Sequence, residues 1–219
     1  MKPLLLAALL SQTACTRASV QPQDVELAGR ISLTWDETLQ QGRLAVLRYL
    51  PAPVPLPAER QGIPMDACDT VVPRTALDGV LTDTTVSAVC DGEPLLFSEN
   101  ATGFWAHRLT EQPPDGYTCE VTIDDEVVTL PPLPAAPDLH IRARRARWTP
   151  GDADEIRVVF PRAASQSTIC RLSDDGSALV PQPGRGGFVT RHRYALPKLE
   201  GGRVSVTVTA GRWWSRAEQ

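Results

Sequence analysis

The sequence predicts an all-β protein made of two small β-sandwich modules in tandem, and three observations carry that expectation. Apolar and polar residues alternate with period two in one stretch after another, as in strands with one face on a core. Glycine and proline together account for 35 of 219 residues, which suits many turns and few helices. Valine and threonine, which fit pleated half-buried surfaces, are plentiful, and no long helix-forming run interrupts them.

Taken in order, the chain opens with MKPLLLAALLSQTACTRAS. One cation, Lys2, precedes the apolar run Leu4 to Leu10, and small or polar residues follow. That is the layout of an export signal, and the run is too short to span a bilayer as a helix. Gln12-Thr13-Ala14-Cys15 resembles the lipobox of bacterial lipoproteins, with Gln12 where leucine is usual. The resemblance implies cleavage before Cys15, acylation of its thiol and, with Thr16 next in line, attachment to the outer membrane. Each buried methylene of such an anchor contributes about 0.8 kcal/mol. A plain signal peptide cut after Ala18 is the other reading of the segment.

Four cysteines remain beyond Cys15: Cys68, Cys90, Cys119 and Cys170. An exported chain meets an oxidising compartment, so an even number suggests two disulfides, with three connectivities open. Cys68 with Cys90 is the favoured pair because it closes a modest loop in one neighbourhood. Cys119 with Cys170 then follows by elimination and staples the two halves. Alternatively, one pair stays as buried thiols.

The strand pattern starts with Ile31, Leu33 and Trp35, and returns at Val86, Ala88 and Cys90 and at Tyr117, Cys119, Val121 and Ile123. It continues at Ile156, Val158 and Phe160 and at Val204, Val206 and Val208. Asp124-Asp125 and Asp174-Asp175-Gly176 read as hairpin turns. TCEVTIDDEVVTLP (118–131) and ICRLSDDGSALVP (169–181) echo one another, as a duplicated module would. PAPVPLPAERQGIP (51–64) reads as an ordered connection between sheets rather than a polyproline ligand.

PPLPAAPD (131–138) is the best boundary, since prolines cannot donate to a ladder and form a stiff spacer. Charge changes sign across it: residues 15–134 carry 18 acidic and 7 basic side chains, residues 135–219 carry 8 and 14. The expected organisation is a signal peptide over 1–14, a tether over 15–25, an acidic sandwich over 26–130, the linker over 131–138 and a basic sandwich over 139–219. Two modules of opposite charge could dock on one another, or the basic one could seek an anion. PDGYTCEV (114–121) resembles the tyrosine corner of immunoglobulin-like domains, with Tyr117 two residues before Cys119. That resemblance implies immunoglobulin-like sandwiches and no particular subfamily.

Catalytic motifs are missing from this pattern. His107, His140 and His192 fall in three segments without a metal-ligand companion at local spacing, and there is no GxSxG elbow. No cofactor or metal site is expected. The acidic clusters Asp124-Asp125-Glu126 and Asp152, Asp154 and Glu155 lack the alternation of a calcium loop and read as turn residues. The sharper feature is LHIRARRARWTPGD (139–152). Leu139, Ile141 and Ala143 share a face, then the phase slips to Ala146 and Trp148, as a bulge at Arg144-Arg145 would cause. Arg142, Arg144, Arg145 and Arg147 then form an exposed strip suited to phosphates and carboxylates. The same residues would also serve simply to keep a strand soluble, or to dock on the acidic half.

In VSVTVTAGRWWSRAEQ, continuing in phase from Val208 puts Trp214 inside and Trp213 outside, whereas a bulge at Gly211 would cover both. An exposed Trp213 would stack on a sugar or a partner. Together these features predict a non-catalytic envelope component, membrane-bound through its lipid, contacting a protein partner through the arginine strip and Trp213. A module for acidic polysaccharide is the alternative, and nucleic acid is not an expected partner.

Overall fold

The computed structural model describes residues 26–48, 54–55, 63–71, 85–99, 105–114, 116–162, 166–181, 186–199 and 202–215. The leader with Cys15 and most of the proline-rich stretch 51–64 lie outside them. Every regular element among the described residues is a strand, so the all-β expectation holds. In the first half these are β1 (Glu26–Asp36), β2 (Gln41–Arg48), β3 (Val54–Pro55), β4 (Ala67–Val71) and β5 (Val86–Cys90). They continue as β6 (Glu93–Leu95), β7 (Ser98–Glu99), β8 (Trp105–Leu109), β9 (Cys119–Ile123) and β10 (Glu126–Thr129). The second half supplies β11 (His140–Arg142), β12 (Arg145–Arg147), β13 (Glu155–Pro161) and β14 (Ser167–Leu172). It ends with β15 (Ser177–Leu179), β16 (Gly186–Ala195), β17 (Lys198–Leu199) and β18 (Gly202–Ser215).

One large sheet runs β4-β14-β13-β16-β18-β1-β2-β8-β7, with β17 and β3 paired onto β18 and β1. A four-stranded sheet, β10-β9-β5-β6, and a three-stranded sheet, β11-β12-β15, complete the set. Alternation decides the faces. Ile31, Leu33 and Trp35 lie in register with Val206, Val208 and Ala210 of the parallel neighbour β18, and are buried together. With Leu44 and Val46 they form a first core against Ala88, Val121, Ile123 and Val128 of the four-stranded sheet. Ile156, Val158, Phe160, Leu172, Val189 and Trp214 form a second core against Leu139, Ile141, Ala146 and Trp148. Trp214 meets Phe160 edge-on at 5.7 Å. It therefore stays in phase with the valines, and Trp213 points out, 46% exposed.

The two cores are not separately closed modules in tandem. β18 completes the first core with Val204 to Ala210 and reaches the second with Trp214. In the other direction, β4 pairs with β14 and brings Cys68 to the second core. Boundaries at 26–130 and 139–219 therefore cut through shared sheets. Local hydrophobic period locates strands, but it carries no information on which strand pairs with which.

The disulfide pairing favoured from loop size is also replaced. The bridges are Cys90–Cys119 and Cys68–Cys170. Each pair is directly opposed in an antiparallel ladder, with Cα atoms 4.1 and 4.0 Å apart. Asp91 N–H donates to Thr118 O at 3.1 Å, which leaves Cys90 and Cys119 at a non-hydrogen-bonded site, where opposed side chains approach closest. That bridge lies within one sheet, unlike the inter-sheet bridge of immunoglobulin domains.

The internal echo does not survive either. Asp124 and Asp125 both take positive φ (48° and 70°) and close a two-residue hairpin between β9 and β10. The segment 173–176 instead crosses from β14 to β15, which pairs with β12. Asp174 explains the difference: its buried carboxylate accepts from Trp148 Nε1 at 3.0 Å and lies 2.9 Å from Arg191 Nε, tying the turn to the small sheet.

Peptide mapping under non-reducing conditions should recover Cys68–Cys170 and Cys90–Cys119 and no Cys68–Cys90 product. The separations are 102 and 29 residues. Chain entropy then makes loss of the longer bridge cost about 1 kcal/mol more in urea unfolding than loss of the shorter.

Candidate functional site

The arginine strip is a hairpin rather than a bulged strand. β11 and β12 pair antiparallel, Ile141 opposite Ala146, around a turn at Ala143-Arg144. Reversal of the chain produces the phase slip. The turn escaped recognition because neither residue is a usual turn former, yet Ala143 takes φ 56°. Ile141 and Ala146 face the second core, so His140, Arg142, Arg145 and Arg147 share the outer face. Arg142 stands directly opposite Arg145, and His140 opposite Arg147. Opposed like charges are unfavourable in a ladder by a few tenths to about 1 kcal/mol.

Arg144 differs from the other three. It sits in the turn, its Nε reaches Val180 O at 3.4 Å, and its own carbonyl accepts from Val180 N–H at 2.9 Å. Arg142, Arg145 and Arg147 make no side-chain hydrogen bond or ion pair among the described residues. Strongly exposed Leu179, in register with Arg145, adds an apolar spot beside them. Trp213 is not part of this surface. Its neighbour Trp214 fills the core beneath the hairpin, so Trp213 faces the opposite side of the large sheet.

That opposite side holds a polar network the sequence reading took for turn acids. Glu155 is fully buried. Arg157 Nε donates to its Oε1, as does the Tyr194 hydroxyl, and Arg171 Nε and Nη2 donate to Oε2 at 2.8 and 2.6 Å. Arg171 Nη1 donates to Ile63 O at 2.6 Å, holding the segment before β4 over the network. Burial pushes the Glu155 carboxyl up, but Arg157, Tyr194 and Arg171 outweigh it and hold it below its ordinary 4.5. Next to it, His192 lies between two hydroxyls, Thr190 Oγ1 at 2.6 Å and Thr209 Oγ1 at 3.1 Å, and stacks on Tyr194. Strand parity was the available signal: Glu155 and Arg157 share the face opposite Ile156 and Val158.

The other acids of this region are engaged too. Asp152 pairs with Arg193, and Asp154 accepts from Tyr194 N–H at 2.6 Å. Among the described residues, no three His, Cys, Asp or Glu side chains converge as metal ligands. His107 Nδ1 is 2.7 Å from Leu96 O, and His140 meets Asp138 at 3.3 Å on the open surface. No family model matches the chain, and no curated protein is significantly similar to it.

Glu155→Gln should cost about 3–5 kcal/mol at neutral pH, because two cations lose their buried counter-charge. The native pKa lies below the unfolded one. The carboxylate's contribution is therefore complete above 4.5 and is lost as pH falls through the lower native value. Urea unfolding across that range should show a flatter acid limb in the variant than in the parent.

Proposed function

We propose that this chain is a non-catalytic cell-envelope lipoprotein that recruits an acidic protein partner through the outer face of the arginine hairpin. The single observation behind this reading is the set of three exposed guanidinium groups on one face of a short ladder, Arg142 directly opposite Arg145 and Arg147 beside them. They carry no acidic partner among the described residues. A carboxylate-bearing surface would relieve their mutual repulsion and take bidentate hydrogen bonds from planar donors. Leu179 offers a small apolar contact at the edge of the charged patch. Two cross-strand disulfides fit an oxidising compartment, and so support export. Lipid at Cys15 would then hold the hairpin within reach of envelope proteins at the outer membrane.

Crosslinking in intact cells should trap a stoichiometric partner. The Arg142→Ser/Arg145→Ser/Arg147→Ser variant should lose it while melting at or slightly above the parent's temperature, since the opposed Arg142 and Arg145 no longer repel. Three exposed contacts at about 0.5–1 kcal/mol each amount to roughly ten- to a hundredfold in affinity, decreasing with salt. A triple variant that crosslinks as the parent does would refute the reading. The anchor is tested separately: Cys15→Ser should abolish incorporation of radiolabelled fatty acid and shift the protein from the membrane to the soluble fraction.

A further inference from the structure

On the outer face of the large sheet, behind the two cores, a cavity of about 570 Å³ lies across β16, β18, β1, β2, β8 and β7. Its volume falls within the range of small-molecule sites. Strand register arranges its centre. Gly211 of β18 lies beside Asp36 of β1, and Asp36 lies opposite Gln41 of β2. Neighbouring strands are about 4.8 Å apart, so the three positions form a short row. A Cβ on Gly211 would stand 3.1 Å from Phe188 Cε1, so the Phe188 ring, which lines the cavity, lies over that glycine. The row therefore presents an apolar ring, a carboxylate and an amide.

The polar members keep hydrogen-bonding capacity that the fold does not use. Asp36 Oδ1 accepts from the N–H groups of Thr38 and Leu39 at 2.9 and 3.1 Å, which fixes the carboxylate, while Oδ2 has no hydrogen bond among the described residues. Gln41 Oε1 accepts from Arg108 Nη2 at 3.0 Å. A guanidinium only donates, so this contact identifies the amide oxygen and leaves both Nε2 hydrogens unengaged. Arg108 Nε and Nη1 are likewise unengaged among the described residues. Arg43 also lines the cavity, but it already has a partner and is not called upon. The spare groups are thus one carboxylate oxygen, one amide nitrogen and one guanidinium, with no net charge.

We infer that this cavity binds a neutral sugar unit. The C–H face of a pyranose ring would lie on Phe188. Adjacent hydroxyls at the ring edge would donate to Asp36 Oδ2 and accept from Gln41 Nε2 and Arg108, since a hydroxyl is donor and acceptor at once. Trp213, opposite Phe188 in register, extends the aromatic surface for a second ring: a Cβ on Gly186 would stand 3.3 Å from its Nε1. Charge decides against other ligands. An anion would meet the carboxylate of Asp36, and a cation the guanidinium of Arg108. An apolar molecule would leave all three polar groups unmatched. The inference goes beyond the hairpin reading and uses none of its residues.

The test uses the full-length protein isolated from cells in a detergent without a sugar headgroup. Cellobiose, maltose and N,N′-diacetylchitobiose are the probes, with calorimetry and saturation-transfer NMR as readouts. At least one of the three should bind at millimolar concentration or below, with transfer strongest at its ring C–H protons. Glycerol has hydroxyls but no ring face, digalacturonate adds negative charge, and deacetylated chitobiose in mildly acidic buffer adds positive charge. Each should bind at least tenfold more weakly. Gln41→Glu replaces the amide donors with a second acceptor beside Arg108, and Asp36→Asn keeps the oxygen that caps the turn but loses the free one. Each should weaken binding at least threefold while melting near the parent. Phe188→Ala should weaken it at least tenfold, whereas Arg30→Ser, on the same face outside the cavity, should leave it unchanged. Should Phe188→Ala fail to melt as the parent does, Phe188→Leu serves instead: it keeps the bulk but loses the flat ring, and should still weaken binding. The inference is overturned if none of the three disaccharides binds, or if glycerol, digalacturonate or deacetylated chitobiose binds as tightly. Binding that survives undiminished in both Gln41→Glu and Asp36→Asn, or that is lost only when Arg142, Arg145 and Arg147 are replaced, would overturn it as well.

Discussion

Strand β18 is the constraint on which the architecture depends. Its fourteen residues pair with β16 on one side and β1 on the other, so one continuous strand belongs to both cores. The pairing with β1 is parallel, and a parallel pair needs a crossover connection. Here almost everything between residues 36 and 202 serves as that connection. The first core cannot be completed by residues 26–130 alone, because its inner face lacks Val204, Val206, Val208 and Ala210 until β18 arrives. A topology of this kind loads the fold with contacts of high sequence separation, which slow folding. It also removes the option of folding two halves one after the other. The Cys68–Cys170 bridge, 102 residues in span, ties the β4–β14 edge of the same sheet and belongs to the same design.

Where the two cores meet, the inner face of β16 turns from Val189 to Arg191 and Arg193. Arginine at a core-facing position is costly unless its donors are met. The proline-rich segment takes one donor from each. Arg191 Nη1 donates to Ala135 O at 3.0 Å and Arg193 Nη1 to Pro132 O at 3.2 Å. Proline has no N–H, so a proline-rich stretch leaves carbonyls unclaimed by any ladder, and those carbonyls are natural acceptors for guanidinium groups. Asp174 and Thr149 O take further donors of Arg191, and Asp152 takes Arg193. Residues 131–138 are thus less a spacer than a strap, with Leu133, Pro134 and Pro137 buried and Leu133 packed into the first core.

Where period two was read, at β1, β5, β9, β13 and β18, the strand and its buried face were legible because alternation is a local property, which is why Trp35, Val158 and Trp214 all point where it puts them. Partnership was not legible. Cys90 and Cys119 meet because β5 and β9 are neighbours in register, and loop length has no bearing on that. The hairpin at Ala143-Arg144 was hidden because its left-handed residue is an alanine, whereas the Asp124-Asp125 turn announced itself through residues that tolerate positive φ. Glu155 was hidden for a different reason. A carboxylate at the outward phase of a strand is ordinarily solvated, and only the arrival of Arg171 from β14 and Tyr194 from β16 turns it into a buried hub.

The opposite charges of the two halves suggest electrostatic docking, but the partners found do not work that way. The second half spends Arg157, Arg171, Arg191 and Arg193 on its own Glu155, Asp174 and Asp152. Towards the first half and the strap these arginines offer hydrogen bonds to neutral carbonyls of Ile63, Ala135 and Pro132. Cohesion between the halves therefore comes from shared strands, and the charge asymmetry is left over rather than consumed. With the interior cations neutralised locally, the surplus falls at the surface, and the hairpin concentrates three guanidiniums of it on one small face. The fold thus neutralises its buried arginines with its own acids and leaves its surplus positive potential on an exposed face, where it is free to act on whatever surrounds the chain.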